Sequence, residues 1–415
     1  MPDTLTMVVS EGRLRDGRVA DIGITGDRIT AIGDPNTLRA ASVIPAGGRL
    51  VTESFVNAHL HLDKVHTLDM VGDAALLAYT AGSMGAAMTG IELARAVKER
   101  YDRSWILPNV RRALQDAVRF GTLHILAFTD VDTTGRLEGF QAVVDAREEF
   151  KDVLDIRVVA FPQDGVVRDP GAAELCEQAM ASGADVVGGI PWIEYSDADA
   201  ARHIEWACAF AARLQRPVAM LVDDASDPSL TTTAMLAEAM IEHGLQGRGI
   251  ACHARAVGSY GEPAQRRLAG LALRAGLGFV SDPHTGPGRL PVDLFDRLGV
   301  AVALGQDDIE DAYYPFGRNN MIEVAFLAAH ALGFLSKHDQ ERLLNFVTTG
   351  AARVLGVHDH TIAEGNVANL AIHECEDVPA LLRNHVAPRW VVSRGRIVAE
   401  TQSRTSFIWD RGRSD

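Results

Sequence analysis

A chain of 415 residues with 47% hydrophobic content can bury a large core, and its mixed charge carries no signature of disorder. A net charge of −15 disfavours nucleic acid, whose phosphates would be repelled, and four scattered cysteines without a CxxC pair argue against a zinc knuckle or a disulfide framework. Met1 to Gly12 lacks the basic-then-apolar pattern of a signal peptide, and no apolar run reaches the roughly 20 residues of a membrane helix, so a soluble, cytoplasmic protein with no membrane partner is expected.

Residues 4–50 read as short strands with tight turns: Leu5–Val9, Val19–Ile24, and Arg28–Ile32 after the Gly26-Asp27 turn signal. The far end repeats this style in Val367–His373 and Trp390–Glu400, with Gly395 as a turn. Together these segments predict one small β-sandwich from residues 1–50 and 362–415, flanking a central domain of residues 51–361. The polar tail Ser403–Asp415 carries Phe407, Ile408 and Trp409, which suggest that it docks.

The central domain opens with an apolar strand ending in His59-Leu60-His61. Side chains alternate along a strand, so both imidazoles share a face and can grip one metal ion. Residues 72–104, small and apolar, read as a lid or helical hairpin. Further strands are expected at Gly121–Asp130, Asp155–Gln163, Ala184–Glu194, Pro217–Asp224, Gly249–His253, Leu277–Asp282 and Val300–Asp308. Amphipathic helices such as Glu138–Phe150, Ala198–Leu214 and Thr232–His243 separate most of them. Eight strands alternating with helices predict an α/β fold, a (β/α)8 TIM barrel, closed by Asn319–Leu335 and Asp339–Leu355. Such barrels put chemistry at the C-terminal strand ends, where His59, His61, Gln163, Trp192, Asp224, His253, Asp282 and Asp307 fall.

Five stretches occur in order at these strand ends. They are Val56–Lys64 (VNAHLHLDK), Ala160–Gly165 (AFPQDG), Gly183–Pro191 (GADVVGGIP), Ala251-Cys252-His253, and Gly305–Asp308 with the following Tyr314–Gly317 and Asn320-Met321. Together they resemble the cytosine deaminase branch of the amidohydrolase superfamily. The resemblance implies hydrolysis of a C–N bond in a small heterocycle, a glutamine (Gln163) that hydrogen-bonds the ring, a strand-six histidine (His253) and a strand-eight aspartate (Asp307). The departures are specific. Leu221 stands where strand five ordinarily gives a metal ligand, Asp224 replaces the proton-shuttling glutamate, Ala127-Phe128-Thr129-Asp130 replaces a histidine motif, and Gln306 replaces a histidine.

What remains supplies three ligands, His59, His61 and Asp307, for one divalent metal, zinc or iron, enough for a catalytic site with an open position. His253, Asp224 and Asp307 would carry the proton chemistry. Gln163 and Trp192 would position the ring, Phe128 offers a second flat face, Asp282 and His284 would line the pocket, and Lys64 would orient the substrate or serve structure. Because Leu221 cannot bind metal, two alternatives stand: a metal-free barrel doing acid–base isomerisation, cyclisation or elimination, and a non-catalytic binding protein. The substrate is expected to be something other than cytosine, and a homo-oligomer remains open. Elsewhere, His124 reads as a core residue; His203, His243 and His338 as solvated; His358 and His360 as structural; and His66 as a spare ligand.

Overall fold

Parallel strands buried on both faces read as near-continuous apolar runs, and eight such runs form one sheet here. The computed structural model describes residues 4–71, 73–80, 84–286 and 288–408. In chain order the sheet contains Phe55–His61, Thr122–Asp130, Asp155–Phe161, Val186–Gly189, Val218–Val222, Gly249–His253, Leu277–Ser281 and Val302–Leu304, each beside its predecessor. Strand eight meets strand one through a parallel bridge between Leu60 and Asp307, where Asp307 N donates to His59 O (2.9 Å) and His61 N donates to Asp307 O (2.8 Å). The result is the expected (β/α)8 barrel. Val56, Ala58, Leu126, Phe128, Val159, Phe161, Leu221 and Cys252 fill its interior, while Leu123, Ile125, Ala127, Val158 and Ala160 pack outward against the helices.

The first strand contains an irregularity that decides the site. Its pairing with strand two runs from Asn57 opposite Ile125 to Leu60 opposite Ala127, three residues against two. A bulge of this kind re-aims side chains. Ala58 belongs to the interior cluster, whereas Leu60 packs outside among Leu123, Ile125 and Ala127. The bulge thereby turns His59 and His61 into the barrel mouth.

The β-sandwich forms from both ends of the chain. One sheet has the order Arg28–Gly33, Val19–Thr25, Met7–Arg13, Ser42–Pro45, and the other Arg396–Glu400, Trp390–Ser393, Leu370–Ile372, Val51–Glu53. Val9, Ile22, Ile44, Val51, Leu370 and Val392 are among the side chains that fill the space between them. Val51–Glu53 pairs antiparallel with Leu370–Ile372 and runs almost directly into the first barrel strand, which anchors the sandwich to the barrel. Ser42–Pro45, pairing parallel with Met7–Arg13, is too short and too near a proline to stand out in the sequence.

Helices Asp73–Thr80 and Met84–Lys98 follow strand one, and Ile91 of the second reaches the barrel mouth. His203 corrects an expectation: it is fully buried rather than solvated, with Nδ1 2.8 Å from Glu194 Oε1 and Nε2 accepting from Ile190 N (3.2 Å). Glu194, just past strand four, draws it inward. Phe407 and Ile408 are exposed (65% and 73%), and Trp409 lies outside the described residues. Among the described residues no helix is long and apolar enough to cross a membrane.

Candidate active site

His59 and His61 are almost completely buried, and their rings meet edge to face with centroids 5.0 Å apart. His59 Nε2 lies 3.1 Å and His61 Nε2 3.9 Å from Asp307 Oδ1. Asp307 sits just past strand eight with φ 68°, a left-handed conformation uncommon for a non-glycine residue, held by its backbone bonds to strand one. Asn57 Oδ1 accepts from Gln306 N (3.0 Å) and His59 N (3.3 Å), which ties the two strand ends together.

Burial lowers both imidazoles well below the usual range, with His253 adding to this at His59 and Lys64 at His61. Both are therefore neutral. Burial also raises Asp307 to about 7, reinforced by Asp282 and opposed by His253. Both ring nitrogens of His59 and Nδ1 of His61 are buried without a hydrogen-bond partner among the described residues. Buried polar atoms are rarely left so. Neutral imidazoles with unused nitrogens, gathered with a buried carboxylate whose ligand atoms lie within 4.8 Å of one another, fit a divalent cation.

The second half of the site is a charged relay. His253 ends strand six at φ 67° with Nδ1 3.0 Å from both oxygens of Asp282 and 3.6 Å from Asp224 Oδ1, while its Nε2 has no hydrogen-bond partner among the described residues. Burial pulls its pKa down, but Asp224 and Asp282 together push it up to about 9. Arg255, two residues on and 2% exposed, donates from Nε to Asp224 Oδ1 (2.5 Å) and from Nη2 to Asp282 Oδ2 (2.6 Å). Burial raises Asp282, yet Arg255 first and His253 next hold it well below the carboxylate range. Thr285 Oγ1 joins this relay to the first cluster, 2.7 Å from Asp307 Oδ2.

Between the clusters lies a small cavity of about 20 Å³, room for about one water molecule. His61, Gln163, Trp192, Leu221, Asp224, His253 and Asp307 all line it. Lys64 reaches it through Gln163: its Nζ is 2.9 Å from Asp130 Oδ1 and donates to Gln163 Oε1 (3.2 Å). Burial alone would depress Lys64, but Asp130 and Asp63 hold it above the usual lysine range.

Three expected pocket residues stand back from this cavity. Phe128 packs one layer down, its ring 4.3 Å from His59 and 5.7 Å from His61. Asp282 is behind His253, and His284 Nε2 turns to Gln306 O (3.2 Å) beside the Tyr314 ring. His66 pairs with Glu310 (2.7 Å) instead of approaching the histidine pair. His124 is buried near Asp155, and the buried His360 donates from Nε2 to Ser54 O (2.8 Å).

Sequence reasoning missed Arg255, Tyr313 and Lys98. Arg255 carried a signal, a charged residue two positions past the strand-six histidine. Tyr313 lines the cavity from the loop after strand eight, and Lys98 comes from the lid helix to bind Asp132 and Asp164, each at 2.7 Å; no spacing in the chain announces either.

The pattern of the family described as "Amidohydrolase family" matches residues 42–399. The N-isopropylammelide isopropyl amidohydrolase of Pseudomonas sp. (strain ADP) is 26% identical, covering 92% of this chain and 94% of its own. The crystal structure of 5-methylcytosine deaminase from Klebsiella pneumoniae with phosphonocytosine superposes with a TM-score of 0.88 at 27% identity, covering 97% of this chain and 100% of that one. The N-isopropylammelide isopropylaminohydrolase of Burkholderia multivorans shares the fold, with a TM-score of 0.83 at 24% identity over 95% of this chain and 98% of its own.

Proposed function

Because the chain belongs to the amidohydrolase family, enzymes that hydrolyse C–N bonds other than peptide bonds, we propose that it cleaves such a bond in a small cyclic nitrogen compound using one divalent metal ion. The carrying observation is the pair of buried, neutral histidines whose Nε2 atoms lie 3.1 and 3.9 Å from Asp307, with three of their four ring nitrogens lacking a hydrogen bond among the described residues. His59, His61 and Asp307 would hold the ion. When bound, zinc or iron supplies Lewis acidity and brings the pKa of water toward neutrality.

The chain's own residues do the rest. His253, held by Asp282 through Nδ1, presents Nε2 to the cavity as a group that polarises the reacting carbon or carries a proton. Asp224 lines the same wall, but Arg255 fixes its Oδ1, so it acts inside an ion-paired relay rather than as a freely moving shuttle. Gln163 and Trp192 bound the space where a planar ring would lie. The relatives named for N-isopropylammelide and 5-methylcytosine support a single nitrogen ring as substrate. Leu221, in the cavity wall, and the shortened Asp224 weigh against cytosine itself.

Zinc, iron and manganese measured in protein purified without chelator, followed by assay before and after chelation, test this reading. Near-stoichiometric metal and chelator-sensitive release of ammonia or amine are expected. Metal-free protein with full, chelator-resistant turnover would replace it with a second reading, acid–base chemistry by His253, Asp224 and Asp307. That reading draws on Arg255, whose guanidinium lies 3.9 Å from Asp307 and brings a positive charge of the chain's own to the site.

A further inference from the structure

The cavity of about 20 Å³ falls far below the roughly 300–1,000 Å³ of a ligand pocket, so a six-membered ring does not fit the site in this conformation. Some wall must move to admit one. The barrel strands are held by hydrogen-bonded neighbours in one sheet. The helix Met84–Lys98 lies outside that sheet and adds Ile91 to the lining. A second void, about 10 Å³, lies under the same helix against Ala94, Val97 and Lys98.

Positions three, four and seven apart share one face of a helix, and here that face carries Ile91, Ala94, Arg95 and Lys98. Ile91, 8% exposed, closes the cavity. Lys98 Nζ donates to Asp132 Oδ2 and Asp164 Oδ1, each at 2.7 Å. Arg95 Nη2 donates to Thr134 Oγ1 (2.7 Å), and its Nε stands 3.6 Å from Asp164 Oδ2. Asp132 and Thr134 follow strand two, and Asp164 follows strand three. A helix moves as a unit because its backbone bonds run within it. Ile91 therefore cannot lift away unless Arg95 and Lys98 leave those two loops. The chain on either side is fastened separately: Leu68 N donates to Glu310 O (2.8 Å) and Tyr101 Oη to Asp63 Oδ2 (3.0 Å).

We propose that Met84–Lys98 is a gate over the active site, with Ile91 as its plug and Arg95 and Lys98 as the latch that holds it shut. The gate rests on the C–N hydrolase reading only in naming a ring as what must pass. Lifting the helix gives Lys98, Asp132 and Asp164 to water together, so no charge is stranded in the open form.

Alkylation by iodoacetamide, read peptide by peptide by mass spectrometry, tests this on the full-length protein carrying Ile91→Cys in a Cys375→Ser background. Cys375 is the partly exposed cysteine, whereas Cys176 and Cys208 are buried and report opening of the core. The thiol introduced at the plug should react at least about tenfold faster than Cys176 and Cys208, because a lid opens at lower cost than the whole fold. Adding Arg95→Met should speed its reaction by about fivefold, the worth of one hydrogen bond, and adding Lys98→Met by at least about tenfold, since bonds to charged groups are stronger. Leu236→Ala, in a separate core cluster, should speed Cys176 and Cys208 and leave the plug thiol unchanged. Circular dichroism establishes that each variant is folded; should Lys98→Met not fold, Arg95→Met carries the test. A plug thiol no faster than Cys176 and Cys208 would mean that the site opens only by unfolding, and would overturn the gate. A rate indifferent to the latch variants would mean a standing crevice, and overturns it too. Labelling needs neither metal nor substrate, so these outcomes are separable from failure of the hydrolase reading, which shows as absence of metal and of turnover.

Discussion

His59, His61 and Asp307 at the ends of strands one and eight, and Asp132, Asp164 and Asp169 past strands two and three, each bring three ligand atoms within 4.8 Å of one another. The acidic set already holds a cation. Lys98 Nζ sits 2.7 Å from both Asp132 and Asp164, 5% exposed, and Asp132 also accepts from the backbone of Thr134 and Gly135. At the histidine set no ammonium sits at bonding distance among the described residues: Arg255 stands 3.9 Å from Asp307 and is held closer by Asp224 and Asp282, and three of the four imidazole nitrogens make no hydrogen bond. Counting ligand atoms therefore does not separate a metal site from an ion-pair cluster. The test is whether the protein has already supplied the positive charge, because a buried carboxylate is stable only when paired.

The largest expected effect breaks the histidine side of this contrast. His59→Ala and His61→Ala should each abolish bound metal and lower turnover by more than about 100-fold, the upper range for disturbing even outer-shell partners. Elemental analysis and steady-state assay of the two variants check this. Retained metal with lost activity would move the ligand role elsewhere.

On the acidic side, Lys98→Met strands Asp132 and Asp164 and should destabilise the protein by about 3–5 kcal/mol, the cost of breaking a buried pair. Urea unfolding measures it. Millimolar calcium should recover part of the loss, since the cluster would then resemble an oxygen-ligand site. Metal content at the histidine site should not change.

Leu221→His restores an imidazole at the strand-five wall and should tighten metal binding by about tenfold, read by competition with a chelator of known affinity. An unchanged affinity would place Leu221 too far from the ion to matter.

The smallest effect is in pH. His59 and His61 titrate below the ordinary imidazole value of 6.5, so the unfolded chain takes protons first as pH falls through that value. Metal-free protein should lose stability on acidification below about pH 6.5, by at most about 1.4 kcal/mol per pH unit for each group. Asp132 behaves differently. Burial opposes its charge, but Lys98 holds its pKa under the ordinary 3.8, so its stabilisation is present above that value and is lost only as pH falls further. Denaturation across pH should show two separate declines, and His59→Ala should flatten only the upper one.

Much of this was legible along the chain. Eight apolar segments separated by amphipathic helices gave the barrel, and the β-rich ends gave the sandwich, because periodicity reports which faces a segment buries. Boundaries shifted by a few residues; strand four ends at Gly189, and Pro191–Ile193 turns as a short 3-10 helix before Glu194. The candidate ligands His59, His61 and Asp307 and the cavity residues Gln163, Trp192, Asp224 and His253 stood at strand ends that the pattern marked in advance.

Three features needed the tertiary structure. The bulge between Asn57 and Leu60 depends on strand two as well as strand one, so the first strand alone could not show how its histidines are aimed. Arg255 gains its role from Asp224 and Asp282, which come from two other strands. Lys98 reaches Asp132 and Asp164 from a helix at least 34 residues away in the chain. Sequence fixes which faces are apolar, a local property. Which charge meets which is decided only when distant strand ends converge, since electrostatic pairing depends on distance in space and on the water excluded there.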